Sequence, residues 1–320
     1  MEKVLLFLIR AVLQGTPLLY GATGEILTEK AGNLNLGIPG IMYVGAISGV
    51  IGGFFYQTSG SVNPFLAILI PLLSCLLGSL LTSLLYSFLT VTLRANQNVT
   101  GLALTTFGVG FGNFFGGSLI KLTNSSTPYL ALTKISKAYQ NFLPFGNQQL
   151  GGQHGFLIYL AVVLALIVSF VMKRTRVGLQ LRSIGESPAT ADAAGINVTR
   201  YKYLSTCLGG MIAGLGGLYY IMDYSNGVWQ NDGFGDRGWL AIAIVIFAVW
   251  RPHFAIVGSY LFGGLYIMYN YLNASMQVQP LLQMLPYVVT IIVLIFVSVR
   301  KKRENLPPAA LGLSYFREDR

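Results

Sequence analysis

The sequence predicts an all-α protein that crosses a membrane about nine times. Of its 320 residues, 53% are hydrophobic and only 10% are charged, and the mean hydropathy is +0.61. A water-soluble domain carries about 25% charged residues because its whole surface meets water. This chain has too few charges for that, and its apolar residues fall in runs of membrane-spanning length. We expect a single transmembrane domain covering residues 1–320.

The apolar runs set the number of predicted spans, because a spanning helix needs about 20 mainly apolar residues. Nine segments follow this pattern. They are 4–23, 38–56, 65–93, 99–120, 156–172, 201–222, 239–250, 254–271 and 281–299. The glycine-rich stretch 21–40 predicts a broken helix between the first two, and a partial span at 23–37 would raise the count to ten.

Basic residues set the predicted orientation, because lysine and arginine concentrate in the cytosolic loops of membrane proteins. The net charge is +10. If the loop 173–200 and the tail 300–320 are cytosolic, Lys30, Arg94 and Arg251 lie on the same side, and the N-terminus lies outside. The outer side would also receive Asp223, Asp232 and Asp236. Because the basic residues are spread over short loops and a tail, we expect contact with anionic lipid heads and no nucleic-acid binding.

The stretch 21–40 is the first candidate site. It carries Glu25, Asn33 and Asn35 among several glycines. Non-helical backbone at membrane depth persists only where protein or a water-filled cavity satisfies it, and transporters use such breaks to line a path. The sequence therefore predicts a solute path lined by these three side chains. A plain cytosolic loop with ordinary helix caps is the alternative.

A second polar stretch leads into the fourth span. Asn96 and Asn98 precede it, and Thr105 and Asn113 lie within it. Amides both donate and accept hydrogen bonds, as an uncharged polar solute would require, and they also cap helix N-termini well. We place all four residues on the predicted solute path. Capping is the competing interpretation for Asn96 and Asn98, whereas a buried amide such as Asn113 needs a partner.

The longest polar interruption in the second half of the chain is 173–202. Ser187 and Pro188 predict the start of a short helix, because proline is tolerated in a first turn, and Gly195 predicts its end. A connector between two spans needs only a handful of residues. A basic loop with its own helix therefore indicates a surface on which another protein docks, and a solvated connector that follows the charge bias is the alternative.

Small residues predict how the spans pack against each other, and tryptophans predict where the spans meet the membrane surface. Glycines at helix-contact spacing let helices approach closely, mostly within one chain, and Trp239 and Trp250 are predicted interfacial anchors at the two ends of one span. The glycine sets are Gly45, Gly49 and Gly53; Gly108, Gly112 and Gly116; and Gly210 and Gly214.

The sequence lacks the motifs of several kinds of chemistry. It contains no GxxxxGK[ST] phosphate loop, no HExxH and no CxxC. His154 and His253 stand far apart, and Cys75 and Cys207 lie in separate apolar runs, where we expect small hydrophobic side chains and no disulfide. We therefore predict no catalytic residue, no metal site and no ATP site in this chain.

Three stretches resemble one protein family. Residues 24–46, GEILTEKAGNLNLGIPGIMYVGA, are similar to a glycine–acid opening followed by the pattern AGxLNLGxxG, although Pro39 stands where an acidic residue is common. Residues 182–202 resemble a cytosolic coupling loop, and residues 238–264 resemble a late segment of the same family. The family comprises the permease subunits of bacterial ATP-binding-cassette (ABC) importers, in the branch of branched-chain amino acid and ribose permeases. The closer resemblance is to nucleoside-type permeases that work with basic-membrane-protein-like binding lipoproteins.

This resemblance implies a permease subunit of a nucleoside importer in the bacterial plasma membrane. Two separate ATPase subunits would use ATP and Mg, so this chain itself would bind no cofactor. A second permease, expected to be a different homologous chain, and an extracellular solute-binding lipoprotein would complete the assembly. The implied coupling residues are Arg182, Gly185, Glu186, Ala189, Asp192 and Gly195.

Two other functions stay open at this point. An ion-coupled secondary carrier would favour acids buried in its spans as proton relays, and here Glu25 and Glu29 are the only acidic pair near the membrane. An ABC permease for a sugar or a branched-chain amino acid would share the same architecture. An integral-membrane enzyme has no set of residues to support it.

Overall fold

Helices form nearly all of the ordered architecture. The computed structural model describes residues 2–60, 62–123, 127–145, 154–272, 278–299 and 306–316. In chain order the helices are α1 (Glu2–Glu29), α2 (Ile38–Thr58), α3 (Pro64–Ser87), α4 (Gln97–Leu122), α5 (Thr133–Asn141), α6 (Leu157–Arg174), α7 (Arg176–Glu186), α8 (Pro188–Ala193), α9 (Val198–Tyr219), α10 (Arg237–Phe247), α11 (Pro252–Ile267), α12 (Gln279–Gln283) and α13 (Leu285–Val299).

Short elements extend or connect these helices. The π-helical turns Phe88–Thr92 and Tyr220–Tyr224 continue α3 and α9, and the 3-10 turn Met268–Asn270 follows α11. Two-residue strands, β1 (Leu130–Ala131) and β2 (Val228–Trp229), pair antiparallel and join the loops that follow α4 and α9.

Six helical segments of the described chain are long and apolar enough to cross a bilayer. They are Lys3–Glu29, Ile38–Thr58, Pro64–Thr92, Gln97–Leu122, Leu157–Arg174 and Val198–Tyr224. Each overlaps a predicted span. The other three predicted spans overlap α10, α11 and α13, which have 11, 16 and 15 residues. The prediction of many membrane-spanning helices is confirmed, and the count of nine stays a prediction.

The break between the first two spans is shorter than predicted. The sequence ended the first span at residue 23, but α1 continues to Glu29 and α2 begins at Ile38. The glycines in this part of α1 do not break it because they serve helix packing: a Cβ on Gly24 would clash with the Gly209 carbonyl oxygen of α9. Residues 23–37 therefore form no separate partial span.

Helices α2 and α9 lie at the centre of the bundle, where α1, α3 and α4 pack around them. Glycines permit this close packing. A Cβ on Gly45 of α2 would lie 2.7 Å from the Gly214 Cα of α9, and a Cβ on Gly108 of α4 would lie 2.5 Å from the Gly40 Cα of α2. These glycines contact helices of the same chain, as predicted.

Most basic residues of the described chain lie at one end of the bundle, as the sequence predicted, and the other end holds Asp223, Asp232 and Asp236 together with Lys121, Lys134 and Lys137. At one end, Lys30 lies beside Gly185 of α7, and the tail residue Ser314 donates to the Arg94 carbonyl oxygen. At the other end, Asp223 accepts a hydrogen bond from the Gly155 backbone, and Asn113 donates to Asp232. We call the first the basic end and, after its three aspartates, the second the acidic end.

Candidate functional site

The turn at residues 30–36, between α1 and α2, lies at the basic end of the bundle. Gly32 has a φ of +82°, a conformation that suits glycine and ends α1. Gly37 occupies the N-cap of α2, with Pro39 in the first turn. The turn is buried over most of its length, so its backbone polar groups need partners inside the protein.

Glu25 and Asn35 hold the second half of this turn. The Glu25 carboxylate accepts a 3.0 Å hydrogen bond from the Asn35 backbone N–H. The Asn35 side-chain oxygen accepts from the Gly37 N–H at 2.9 Å, and the Thr105 hydroxyl of α4 donates to the Leu36 carbonyl oxygen at 2.8 Å. Glu25, Asn35 and Thr105, three of the predicted path residues, therefore meet at one place and bind the turn.

Other helices hold the first half of the turn. The Asn33 amide donates to the Thr206 hydroxyl of α9 at 3.0 Å. The Leu34 N–H donates to the Gln97 side chain of α4 at 2.7 Å, and the Tyr86 hydroxyl of α3 donates to the Leu34 carbonyl oxygen. The turn is thus fixed by side chains from four helices, α1, α3, α4 and α9.

Glu29, the last residue of α1, accepts a hydrogen bond from the indole N–H of Trp250. Trp250 is buried between α10 and α11, with a φ of +53°. The prediction of Trp250 as an interfacial anchor is therefore wrong, because its ring lies inside the bundle at the turn. Trp239 is 39% exposed, as an anchor would be.

Three buried polar atoms at the turn have no hydrogen-bond partner among the described residues. They are Glu25 Oε2, Asn33 Oδ1 and Asn35 Nδ2. A buried polar group needs a partner, so these are the atoms with which a polar ligand would pair if it reached the turn. The site combines donors and acceptors, which suits binding rather than bond cleavage.

The other three predicted path residues, at the start of α4 or within it, lie apart from the turn contacts described above. Asn96 caps α4, because its side chain accepts from the Val99 N–H at 3.1 Å. Asn98 is exposed in the first turn. Asn113 lies near the acidic end, where its oxygen accepts from the Tyr43 hydroxyl at 3.0 Å and its amide donates to Asp232 at 2.8 Å. Asn113 is thus far from the turn at residues 30–36.

The open face of α4 mixes small polar residues with large apolar ones, which include Val99, Leu102, Phe107 and Phe114. Asn98, Thr106, Gly110, Asn113 and Gly117 are exposed or half-exposed along one side of the helix, and Gly110 has no heavy atom within 4 Å of where its Cβ would lie. The open faces of α3 and α6 are more uniformly apolar. They present Leu73, Leu77, Leu81 and Leu84 on α3, and Val163, Leu166, Ile167 and Phe170 on α6.

The predicted coupling loop contains two helices, α7 and α8. Ser187 caps α8 by accepting from the Thr190 N–H, and Gly195 has a φ of +82° just beyond its end. The predicted start and end of the short helix are thus correct, whereas α7 was not expected. Ile184, Ala191 and Val198 form a small apolar cluster that holds the pair together.

The predicted coupling residues also divide by exposure. Arg182, Glu186, Ala189 and Gly195 are exposed on the outer side of this helix pair. Gly185 is buried, and a Cβ there would clash with the Lys30 carbonyl oxygen of the turn. The exposed side chains are free to meet another protein, while Gly185 joins α7 to the α1–α2 turn.

Sequence reasoning missed four residues that bind the turn. They are Gln97, Tyr86, Thr206 and Trp250. The signal for Tyr86, Thr206 and Trp250 was a polar group inside an apolar run, and Gln97 stood in the polar cluster at residues 96–98. Neither signal tells which distant residue is the partner. Within the described ranges, no group of three His, Cys, Asp or Glu side chains could hold a metal ion.

Comparison with known proteins gives a consistent family. Residues 7–297 match the family described as "Branched-chain amino acid transport system / permease component". The chain is 32% identical, over 97% of its length and 98% of the relative, to the "Putative glucose ABC transporter permease protein TsgC13" of Haloferax volcanii. It is 31% identical, over 96% of its length and 95% of the relative, to the nucleoside ABC transporter permease protein NupC of Lactococcus lactis.

Two further similarities are more distant. A second Lactococcus lactis protein, the nucleoside ABC transporter permease protein NupB, is 23% identical over 78% of this chain and 68% of that protein. A solved structure described as "An inward-facing conformation of a putative metal-chelate type ABC transporter" superposes with a TM-score of 0.50 at 14% identity. That match covers 90% of this chain and 85% of the other, and it shows a shared fold.

Proposed function

The chain belongs to the family of branched-chain amino acid transport system permease components, and from this membership we propose that it forms the membrane path of an ABC importer for nucleosides. The observation that carries the proposal is the match to NupC, which extends over nearly the whole of both chains. An ion-coupled carrier finds no support, because the relatives reported above are named as ABC transporter permeases.

A glucose importer is the second candidate. It is favoured by the 32% identity with the glucose permease relative, which is no lower than the identity with the nucleoside permease. Both solutes are polar and uncharged, and they differ in the flat base of the nucleoside. Phe107 and Phe114, which are 53% and 68% exposed on α4, offer rings on which the base of a nucleoside can stack.

We propose that the solute passes along the open face of α4, between this chain and a second permease. Exposed polar groups in a membrane helix face a water-filled cavity or another helix rather than lipid. Asn98 and Asn113 lie on that face and are the proposed solute contacts. The existence of both NupB and NupC in one bacterium supports a second permease that is a different homologous chain.

The residues of the α1–α2 turn have a different proposed role. Glu25, Asn33, Asn35 and Thr105 are buried and bind the turn in this conformation. They would meet solute only when the turn moves, and their unpartnered atoms would then find hydrogen bonds. Asn96 acts in this proposal as the cap of α4, as the alternative interpretation of the sequence had it.

The exposed side of α7 and α8 is the proposed docking surface for an ATPase subunit. Arg182, Glu186, Ala189 and Gly195 lie on it, and Gly185 passes its movement to the turn. ATP and Mg would be used by the ATPase subunits alone. Different contacts of the helix pair in the ATP-bound and ATP-free states would shift the permease between its conformations.

The proposed membrane arrangement places the basic end in the cytosol of a bacterium and the acidic end outside the plasma membrane. The chain then has nine spans within one domain, an outer N-terminus and an inner C-terminus. An extracellular binding lipoprotein would deliver the solute at the acidic end, near Asn113 and Asp232.

Reconstitution tests this proposal directly. The chain is purified with its partner permease and ATPase subunits, and uptake of labelled guanosine and labelled glucose is measured in liposomes with and without ATP. We expect ATP-dependent uptake of guanosine that unlabelled glucose does not compete away. Uptake of glucose alone would select the second candidate, and uptake driven by an ion gradient without ATP would reject both.

A pair of variants tests the proposed path. Gly110→Phe places a ring on the open face of α4, where the structure has free space, and we expect it to block uptake without unfolding the chain. Leu77 of α3 is 60% exposed on an apolar face of the bundle, so Leu77→Phe makes a similar change away from the proposed path and should leave uptake unchanged. Equal uptake by the two variants would place the path elsewhere.

A further inference from the structure

The tail segment 308–316 folds back across the basic end of the bundle, where it touches the coupling helices first. The Ala310 backbone N–H donates to the Gly185 carbonyl oxygen at 2.9 Å. Pro308 and Ala310 are buried there. A Cβ on Gly32 of the turn would lie 3.4 Å from the Ala310 carbonyl oxygen, so this residue lies between α7 and the turn.

Tyr315 connects the tail to α8. Its hydroxyl donates to the Asp192 carboxylate at 2.7 Å. Its ring packs against the apolar cluster of Ile184, Ala191 and Val198, which joins α7, α8 and the start of α9. Tyr315 therefore contacts α8 through both a hydrogen bond and apolar packing, so a displacement of α8 would move the tail.

The residues of the tail between Ala310 and Phe316 connect it to α4 and to the turn. The Gln97 amide donates to the Leu313 carbonyl oxygen at 3.4 Å, while the same side chain accepts from the Leu34 N–H of the turn at 2.7 Å. The Arg94 guanidinium lies 4.6 Å above the centre of the Phe316 ring. Gln97 thus binds the tail and the turn at the same time.

We propose that residues 308–316 form a strap that positions α7 and α8 relative to the α1–α2 turn and passes their movement to it. Tyr315 and Gln97 are the positioning residues at its two ends. The inference rests on the proposed function, because it takes α7 and α8 as the ATPase docking helices. It adds the C-terminal tail to the coupling apparatus, where the sequence had predicted only a basic cytosolic tail.

The first test measures the solute transported per ATP hydrolysed by the reconstituted complex. Tyr315→Phe removes the hydroxyl that binds Asp192, and the strap predicts a fall of about three- to tenfold in this ratio, as the loss of one hydrogen bond of typical strength allows. Tyr203→Phe removes another hydroxyl near the same end, whose partner is Thr92, and should leave the ratio unchanged. A merely structural role would lower hydrolysis and uptake together, and an unchanged ratio in Tyr315→Phe overturns the strap.

The second test needs only the permease chain. A chain ending at residue 307 is compared with the full chain by hydrogen–deuterium exchange in detergent. We expect faster exchange in the turn at 30–36 and in α8, with unchanged exchange in α3. If the truncated and the full chain exchange at the same rate in all three regions, the strap is overturned, whatever solute the complex proves to transport. Loss of ATP-dependent uptake by the wild-type complex would instead contradict the proposed function.

Discussion

The Asn35 backbone N–H donates a 3.0 Å hydrogen bond to the Glu25 carboxylate, so the last turns of α1 hold the chain that leads into α2. Both residues are fully buried. This contact joins two residues only ten apart in sequence through a helix end and a turn. It explains how the glycine-rich segment between the first two spans keeps a defined conformation.

Glu25→Ala should destabilise the folded protein. The change leaves the Asn35 N–H buried without a partner, at a cost of about 1–3 kcal/mol. Glu25→Gln keeps an acceptor oxygen and should cost less. Thermal unfolding of the two variants in detergent measures the difference, and equal melting temperatures would contradict the role of this hydrogen bond.

Gln97→Ala should loosen both the turn and the tail. Its side chain binds the Leu34 N–H and the Leu313 carbonyl oxygen. Asn98→Ala, at the next position of the same helix, changes an exposed side chain and serves as the control for stability. We expect limited proteolysis to cut the Gln97 variant faster within the tail, and equal cleavage of both would count against this connection.

Gly185→Ala should separate α7 from the turn. A methyl group there would clash with the Lys30 carbonyl oxygen, which is backbone and cannot rotate away. In Gly264→Ala the added Cβ lies no closer than 3.4 Å to its neighbours, so this control should be tolerated. Overpacking of this kind typically costs about 1–3 kcal/mol, and thermal unfolding in detergent measures it.

Trp250→Phe should destabilise the chain more than Trp239→Phe. The first change removes the indole donor from the buried Glu29 carboxylate, and a buried acceptor left unpaired costs about 1–3 kcal/mol. The Trp239 ring is 39% exposed, so its loss matters less. Unfolding monitored by the intrinsic fluorescence of the remaining tryptophans compares the two, and the reverse order would show that the Glu29 contact is dispensable.

Stability should fall with acidification partly through His154. Burial lowers the pKa of His154 from its ordinary value, about 6.5, so the folded chain binds its proton less readily than the unfolded chain. The contribution of the neutral, buried His154 to the free energy of unfolding is therefore complete above pH 6.5 and is lost as the pH falls below 6.5. His154→Leu removes the group, so its melting temperature should drop less between pH 7.5 and 5.5 than that of the wild type. An equal drop would assign the pH effect to other groups.

Local patterns predicted the α8 helix well and the first break poorly. Ser187, Pro188 and Gly195 act within one turn of chain, and the structure has the helix where they placed it. Gly21 and Gly24 have the same local preference for a break, yet they lie inside α1. Neighbouring helices override that preference, because only glycine allows α9 to approach Gly24, and Ala241 of α10 to approach Gly21, so closely. Such a contact cannot be read from the residues around it.

The candidate site was predicted in part. Polar residues in apolar runs correctly drew attention to Glu25, Asn35 and Thr105, which the structure brings together at the turn. Asn113 shared the same pattern but lies at the acidic end, because α4 carries it along the bundle axis. Residue type indicates that a buried polar group needs a partner, but it does not give the depth at which that partner lies.

The sequence by itself determined that this protein is helical, lies in a membrane and collects most of its basic residues at one end, because composition and the spacing of charges act through the solvent and need no tertiary contact. Only the tertiary structure decided which polar side chains bind the α1–α2 turn, and that the tail returns to join it to α7 and α8. Several of those contacts link residues more than 200 positions apart, and their partners become neighbours only when the helices pack.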